Sequence, residues 1–127
     1  MNQYRLLDVF LSGPLQILVS QYITNNDFLF YFILITGFCT ILYNGHNYLF
    51  FNSTIKKPIK VLKPFVDIKN GKTQSHRIYN LIIMYPIFTY VLVNISMPSF
   101  VYWMFMANIL FGFSYNLFYY IFIKYYL

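Results

Sequence analysis

Residues 99–123 read SFVYWMFMANILFGFSYNLFYYIFI, a run of 25 residues that contains no charged side chain. A helix that crosses the hydrocarbon core of a bilayer needs about 20 predominantly apolar residues. The Phe, Ile, Leu and Val residues of this stretch favour insertion by roughly 4 to 7 kcal/mol, and Asn108 and Asn116 reduce that gain. The stretch therefore predicts a transmembrane helix.

Three further apolar stretches precede this one, at residues 6–23, 28–49 and 78–97. The stretch at 78–97 contains Pro86, which a membrane helix tolerates because neighbouring groups can satisfy the carbonyl that the proline leaves free. Only a short turn separates it from residues 99–123. We therefore expect these two stretches to pack as an antiparallel hairpin.

The stretch at residues 6–23 is less clearly a membrane span than the others. Asp8 and Gln16 oppose insertion, and Gly13-Pro14 interrupts the helix. For this stretch, spanning the bilayer and lying flat in its interface are close in energy. The sequence is thus compatible with four transmembrane helices or, alternatively, with three.

The composition supports a lipid-facing surface. Hydrophobic residues make up 59% of the chain and charged residues only 9%, whereas soluble domains carry about 25% charged residues. A soluble fold of 127 residues would lack the polar side chains needed to cover its surface. Cys39 is the only cysteine, so no internal disulfide can form.

The basic residues indicate the orientation in the membrane. With four spans, Arg5, the loop at residues 52–77 and Lys124 fall on one side, and the opposite side receives residues 24–27 and 97–99, which contain no basic residue. This distribution follows the positive-inside rule. The predicted fold is all-α, a polytopic membrane protein with two helical hairpins in one membrane domain over residues 1–127, and both ends and the basic loop lie in the cytosol.

The basic loop at 52–77 is the most informative polar segment. Apolar side chains alternate with its lysines, so the loop can lie along a membrane and bind anionic lipid at roughly 1 kcal/mol per basic residue. Three interpretations remain open: the charges only fix orientation, they bind lipid or an acidic protein, or they contact nucleic acid, which is disfavoured because stacking aromatic side chains are scarce there. The candidate binding residues are Lys56, Lys57, Lys60, Lys63, Lys69, Lys72 and Arg77.

Small and polar side chains inside the apolar stretches predict where helices pack. Such residues allow close backbone approach and hydrogen bonds between helices. A pore lining is the alternative interpretation, although no acid lies deep in any span and no TVGYG-like filter exists. The candidate packing residues are Thr36, Gly37 and Thr40 in the second stretch and Asn108, Gly112 and Asn116 in the fourth.

A second polar group is expected near the cytosolic interface, between the second and third stretches. A structural hydrogen-bonded cluster is favoured over a metal site, which needs three or four converging ligands. Its candidate members are Asn44, His46, Asn47, His76 and Asn80. Asp8, Asp27 and Asp67 are the only acids, so no catalytic carboxylate pair or triad can be assembled, and neither enzyme activity nor a cofactor is expected.

No internal repeat, heptad pattern or low-complexity tract is evident in the sequence. The runs TILYNGHNYL (residues 40–49) and GKTQSHRIYN (residues 71–80) resemble segments of small multi-spanning membrane proteins of large nucleocytoplasmic DNA viruses. This resemblance covers 20 of 127 positions and implies a virion membrane or a host endomembrane. It implies no catalytic residue.

The sequence favours a structural or interaction protein of a viral or intracellular membrane, whose basic loop docks an acidic partner or anionic lipid. Membrane lipids, a protein partner or a second copy of the chain are the expected partners. One alternative is an oligomeric pore or small transporter, with ion flux sensitive to Asn108→Leu or Asn116→Leu. The other is an accessory subunit of an organellar complex, in the mitochondrial inner membrane.

Overall fold

The computed structural model describes residues 4–51 and 75–126, with side chains from 5 to 49 and from 77 to 121. These residues are helical except in two turns, at 21–26 and 95–98, so the predicted all-α class is confirmed for the described part of the chain. The chain divides into two compact units, Met1–Val66 and Asp67–Leu127. The six lysines of the predicted binding loop, from Lys56 to Lys72, lie outside the described residues.

The first unit contains one helical hairpin. Its first arm runs without a break through α1 (Tyr4–Leu7), a π-helical turn π1 (Asp8–Ser12) and α2 (Gly13–Ser20), and its second arm is α3 (Asp27–Phe51). Asn26 caps α3, because its Oδ1 accepts a hydrogen bond of 3.0 Å from the Leu29 N–H. Val19 and Ile33 are fully buried and lie at the centre of this hairpin.

The second unit contains a hairpin with the same order of elements. Its first arm consists of α4 (Ser75–Tyr79), the π-helical turn π2 (Asn80–Met84) and α5 (Tyr85–Asn94), and its second arm is α6 (Ser99–Tyr126). Phe88, Val91 and Phe105 are fully buried. The ring centroids of Phe88 and Phe105 are 5.3 Å apart, so an aromatic pair joins the two arms.

Each π-helical turn ends two residues before a proline. Proline has no N–H and its ring clashes with the carbonyl four residues earlier, which belongs to Phe10 for Pro14 and to Ile82 for Pro86. Both carbonyls lie inside the π-turns, where the N–H of Gly13 bonds to the Asp8 oxygen and the N–H of Tyr85 to the Asn80 oxygen, five residues back. The wider winding of a π-turn gives the proline ring room without ending the helix.

The two hairpins match each other without a gap at an offset of 72 positions. The same offset separates the two π-turns, the two prolines and the starts of the two long helices. Even single bonds do, because Phe30 N–H bonds to Asn26 O at 3.0 Å and Tyr102 N–H to Pro98 O at 2.9 Å. The identical pairs are Arg5/Arg77, Pro14/Pro86, Val19/Val91, Ile23/Ile95, Phe28/Phe100, Tyr43/Tyr115, Asn44/Asn116, Tyr48/Tyr120 and Phe50/Phe122.

Burial follows the same register. Val19 and Val91 are both 0% exposed, as are Ile33 and Phe105, whereas Phe28 and Phe100 are 67% and 70% exposed. Equal burial at matched positions shows that the two hairpins pack in the same way. The expectation that the chain has no internal repeat is therefore wrong. The repeat is faint in the sequence because only nine matched pairs are identical and many others combine two different apolar residues.

One helical segment of the described residues, Asp27–Leu49, is long and apolar enough to cross a bilayer. Core helices of soluble proteins and signal sequences can share these two properties. The helix α6 is longer, but its tyrosines, Trp103 and asparagines lower its mean hydropathy. The first arms of both hairpins are divided into short α-helices by the π-turns.

Candidate functional site

The first hairpin holds an arginine against an aromatic ring and an amide. The Nη1 of Arg5, in α1, donates a hydrogen bond of 3.4 Å to Asn44 Oδ1 on α3. The Arg5 guanidinium also lies 5.9 Å from the centroid of the Tyr43 ring, within the range of a cation–π interaction. Asn44 is anchored in turn, because its Nδ2 donates to Thr40 O at 2.9 Å. These residues, Arg5, Tyr43 and Asn44, form cluster 1.

Cluster 1 has its own counter-charge. Asp8 follows Arg5 by three residues, about one helical turn, and the two side chains attract each other electrostatically. The Ser12 hydroxyl donates a further hydrogen bond to the Asp8 carboxylate. Asp8 is therefore an acid of the same hairpin that acts on the charge of Arg5.

The second hairpin holds an arginine at the matching position. The Arg77 guanidinium, in α4, lies 5.6 Å from the Tyr115 ring centroid and 5.3 Å from the Tyr119 ring centroid. Both rings belong to α6, and their centroids are 4.6 Å apart. Two neighbouring aromatic rings thus contact one cation from the same side, and each such contact contributes about 0.5 to 2 kcal/mol.

An asparagine pair lies beside this arginine. Asn80 Nδ2 donates a hydrogen bond of 3.3 Å to Asn116 Oδ1, and Asn116 Nδ2 donates to Gly112 O at 2.7 Å. The pair joins π2 to α6, as Arg5 and Asn44 join α1 to α3. We call Arg77, Asn80, Tyr115, Asn116 and Tyr119 cluster 2.

Cluster 2 lacks the counter-charge that cluster 1 has. Residues 75–126 contain no aspartate or glutamate, and the position that matches Asp8 is Asn80. Arg77 is only 9% exposed, and its Nε has no hydrogen-bond partner in the described part of the chain. A buried cation without a paired anion is costly, and within the described residues of this hairpin no acid balances the positive charge of cluster 2.

Of the predicted packing residues of α3, Gly37 and Thr40 face the first arm of their own hairpin, whereas the Thr36 hydroxyl donates to the Phe32 carbonyl of its own helix. Thr40 Oγ1 donates to Thr36 O at 2.8 Å and lies 3.4 Å from Gln16 Oε1. A Cβ on Gly37 would lie 3.0 Å from the Gly13 carbonyl oxygen, so the two glycines meet where α2 crosses α3. Gly37 therefore lets the two backbones approach closely.

The predicted packing residues of α6 have different surroundings. The hydroxyl end of the Tyr85 side chain lies against Gly112 and occupies the place that a Cβ would take. Asn116 belongs to cluster 2, whereas Asn108 has a buried Nδ2 without a partner among the described residues. The three residues thus lie on one helix face with three separate surroundings.

The predicted polar group near the interface is divided between the two hairpins. Asn44 belongs to cluster 1 and Asn80 to cluster 2. His46 and Asn47 are buried on α3, with 3.4 Å between Nδ1 and Oδ1. The His76 side chain lies outside the described residues. Within the described part of the chain, no three His, Cys, Asp or Glu side chains come together as metal ligands do.

Sequence reasoning misses both arginine–aromatic contacts. It gives Arg5 only an orienting charge, and it assigns no partner to Tyr43, Tyr115 or Tyr119. A signal is present in the spacing, because Arg5 precedes Asn44 by 39 residues and Arg77 precedes Asn116 by the same interval. The Tyr-Asn pair recurs at that interval in both hairpins.

Comparison of the chain with family models, curated proteins and solved structures finds no match.

Proposed function

We propose that the chain is a polytopic membrane protein with four spans, whose basic loop at residues 52–77 docks anionic lipid or an acidic partner. The observation that carries this proposal is the apolar surface of both hairpins. Phe10, Phe28, Phe100 and Phe111 are between 67% and 77% exposed, and only 22% of the candidate span in α3 is buried. Soluble monomers rarely expose large contiguous apolar patches, whereas lipid covers such a surface without cost.

The repeat supports four spans rather than three. The first arms of the two hairpins have similar burial patterns. If residues 6–23 lay in the interface, two arms with the same structure would have different positions in the membrane. A hairpin that crosses the bilayer twice returns the chain to its starting side. Arg5 and Arg77 then lie on one side together with the basic loop, as the positive-inside rule requires.

The basic loop supports the docking role. Seven of the nine basic residues of the chain fall between Lys56 and Arg77, with Asp67 as the only acid. Each basic residue near an anionic bilayer contributes roughly 1 kcal/mol. The resemblance to viral membrane proteins favours a virion membrane or a host endomembrane for this activity. The protein is thus a membrane-bound interaction module rather than an enzyme.

Single-cysteine labelling tests the topology. In a Cys39→Ser background, we expect an impermeant maleimide to label Gln3→Cys and Lys63→Cys on intact microsomes. Asn25→Cys and Met97→Cys should react only after detergent opens the vesicles, because both turns lie in the lumen. Protection of Gln3→Cys with labelling of Lys63→Cys would instead establish three spans.

Vesicle binding tests the docking role. The chain is reconstituted in nanodiscs of phosphatidylcholine and mixed with vesicles that contain phosphatidylserine or only phosphatidylcholine. We expect binding to the phosphatidylserine vesicles alone, and weaker binding as salt rises because exposed charges are screened. Equal binding to both vesicle types would contradict the docking of anionic lipid by this loop.

A further inference from the structure

We propose that Arg77 binds the headgroup phosphate of one anionic phospholipid at the end of the second hairpin. This inference rests on the proposed membrane placement. The site is distinct from the lysines of the basic loop, because it is built from α4, π2 and α6. The proposal is based on a difference between the two hairpins. They share the same order of elements, but the acid near Arg5, which is Asp8, is replaced by Asn80 near Arg77.

The matched positions make the difference in charge explicit. Arg5 has Asp8 one turn away, and the two side chains attract each other. Arg77 has Asn80 at the corresponding place, and Asn80 uses its amide to donate to Asn116. The first hairpin is complete in itself, whereas the second needs an anion from outside residues 75–126. A phosphate supplies that charge and accepts hydrogen bonds from a guanidinium.

The surroundings of Arg77 have the form of a phosphate site. The Tyr115 and Tyr119 ring centroids lie 5.6 and 5.3 Å from the guanidinium carbon, and both rings lie on the same side of it. The Nε–H has no acceptor in the described part of the chain, although the Arg77 side chain is buried. A buried guanidinium whose Nε–H has no acceptor can donate a hydrogen bond to an anionic oxygen.

The neighbouring side chains favour a lipid over free phosphate. Ile78, Ile82 and Phe118 are 39%, 68% and 61% exposed and lie on the elements that carry cluster 2. Acyl chains can cover these apolar side chains while the headgroup reaches Arg77. Basic sites between helices on the cytosolic side of a membrane bind anionic headgroups in this manner.

Exchanging the counter-charge tests the site. We expect Asn80→Asp to weaken retention of phosphatidylglycerol about ten- to a hundredfold, because the new carboxylate takes the place of the phosphate. The measurement is native mass spectrometry of the full chain in mild detergent with added phosphatidylglycerol or phosphatidylcholine. Asn94→Asp is the control, since it adds the same charge at an exposed position at the other end of the arm and should retain the lipid.

The repeat supplies a converse variant. Asp8→Asn gives the first hairpin the arrangement of the second, and we expect the variant to retain a second phosphatidylglycerol molecule. Circular dichroism should show unchanged helix content in all three variants. The proposal would be overturned if Asn80→Asp retained phosphatidylglycerol as strongly as the wild-type chain and Asp8→Asn retained only one lipid molecule.

Three further results separate the Arg77 site from the basic loop, from a free-phosphate site and from an ion pair with Asp67. Glutamine at Lys56, Lys57, Lys60 and Lys63 should strongly weaken vesicle docking while the Arg77-bound lipid stays, so failure of the loop and failure of the site are distinguishable. Displacement of the lipid by inorganic phosphate would overturn its assignment as the ligand. Lipid retention that appears only in Asp67→Asn would show that Asp67 is the anion, and would also overturn the proposal.

Discussion

Neutralising four lysines of the basic loop is expected to weaken binding of the reconstituted chain to phosphatidylserine vesicles by about three orders of magnitude. The variant carries glutamine at Lys56, Lys57, Lys60 and Lys63. Each lysine near an anionic surface contributes roughly 1 kcal/mol, so the four together contribute about 4 kcal/mol, and every 1.4 kcal/mol changes a dissociation constant tenfold. Vesicle flotation over a range of lipid concentrations measures the change.

A matched variant separates charge from side-chain identity. Arginine at the same four positions keeps the charge, and we expect it to bind the vesicles about as tightly as the unaltered chain. The glutamine variant should still resist alkaline carbonate extraction, because insertion depends on the apolar helices and not on the loop. Undiminished flotation of the glutamine variant would remove the docking role.

The all-helical class could be predicted from hydropathy alone. Long uncharged apolar runs leave few other ways to satisfy backbone hydrogen bonds, and the start of α6 at Ser99 lies where the predicted stretch begins. Which helix is the most apolar is harder to predict from the sequence. Residues 99–123 stand out because they lack charge, whereas α3 has the higher mean hydropathy because it carries fewer polar aromatic residues.

The clusters could not be predicted from the sequence because their members are distant along the chain. The charge of Arg77 groups it with the loop lysines, yet in the structure it lies among tyrosines of α6. Only the register between two helices brings residues 39 positions apart together. The π-turns could not be predicted from the sequence either. A proline in an apolar run predicts a disturbance of the helix but does not indicate how the backbone accommodates the ring.

The two copies also differ in how their arms meet. Gly13 follows π1 and approaches Gly37, whereas Tyr85 follows π2 and covers Gly112. The first hairpin therefore brings backbone against backbone at Gly37, whereas the second packs the Tyr85 side chain against Gly112, three residues after the position that matches Gly37. The Ile17 side chain can move away from a Cβ at Gly37, but the backbone atoms Gly13 O and Ile17 N, 3.0 and 3.1 Å from it, cannot, so this small addition must separate the helices.

Replacing Gly37 by alanine is therefore expected to destabilise the first hairpin by about 1 to 3 kcal/mol relative to the same change at Gly45. A Cβ at Gly37 would lie 2.8 Å from Ile17 Cγ1 and 3.0 Å from the Gly13 oxygen, whereas at Gly45 the nearest atom, Val9 Cγ2, is 3.8 Å away. Both substitutions gain the same helix propensity, about 1 kcal/mol, so the difference between them reports packing alone. Equilibrium unfolding in mixed detergent micelles measures it, and equal stability of the two variants would mean that the helices do not cross at these glycines.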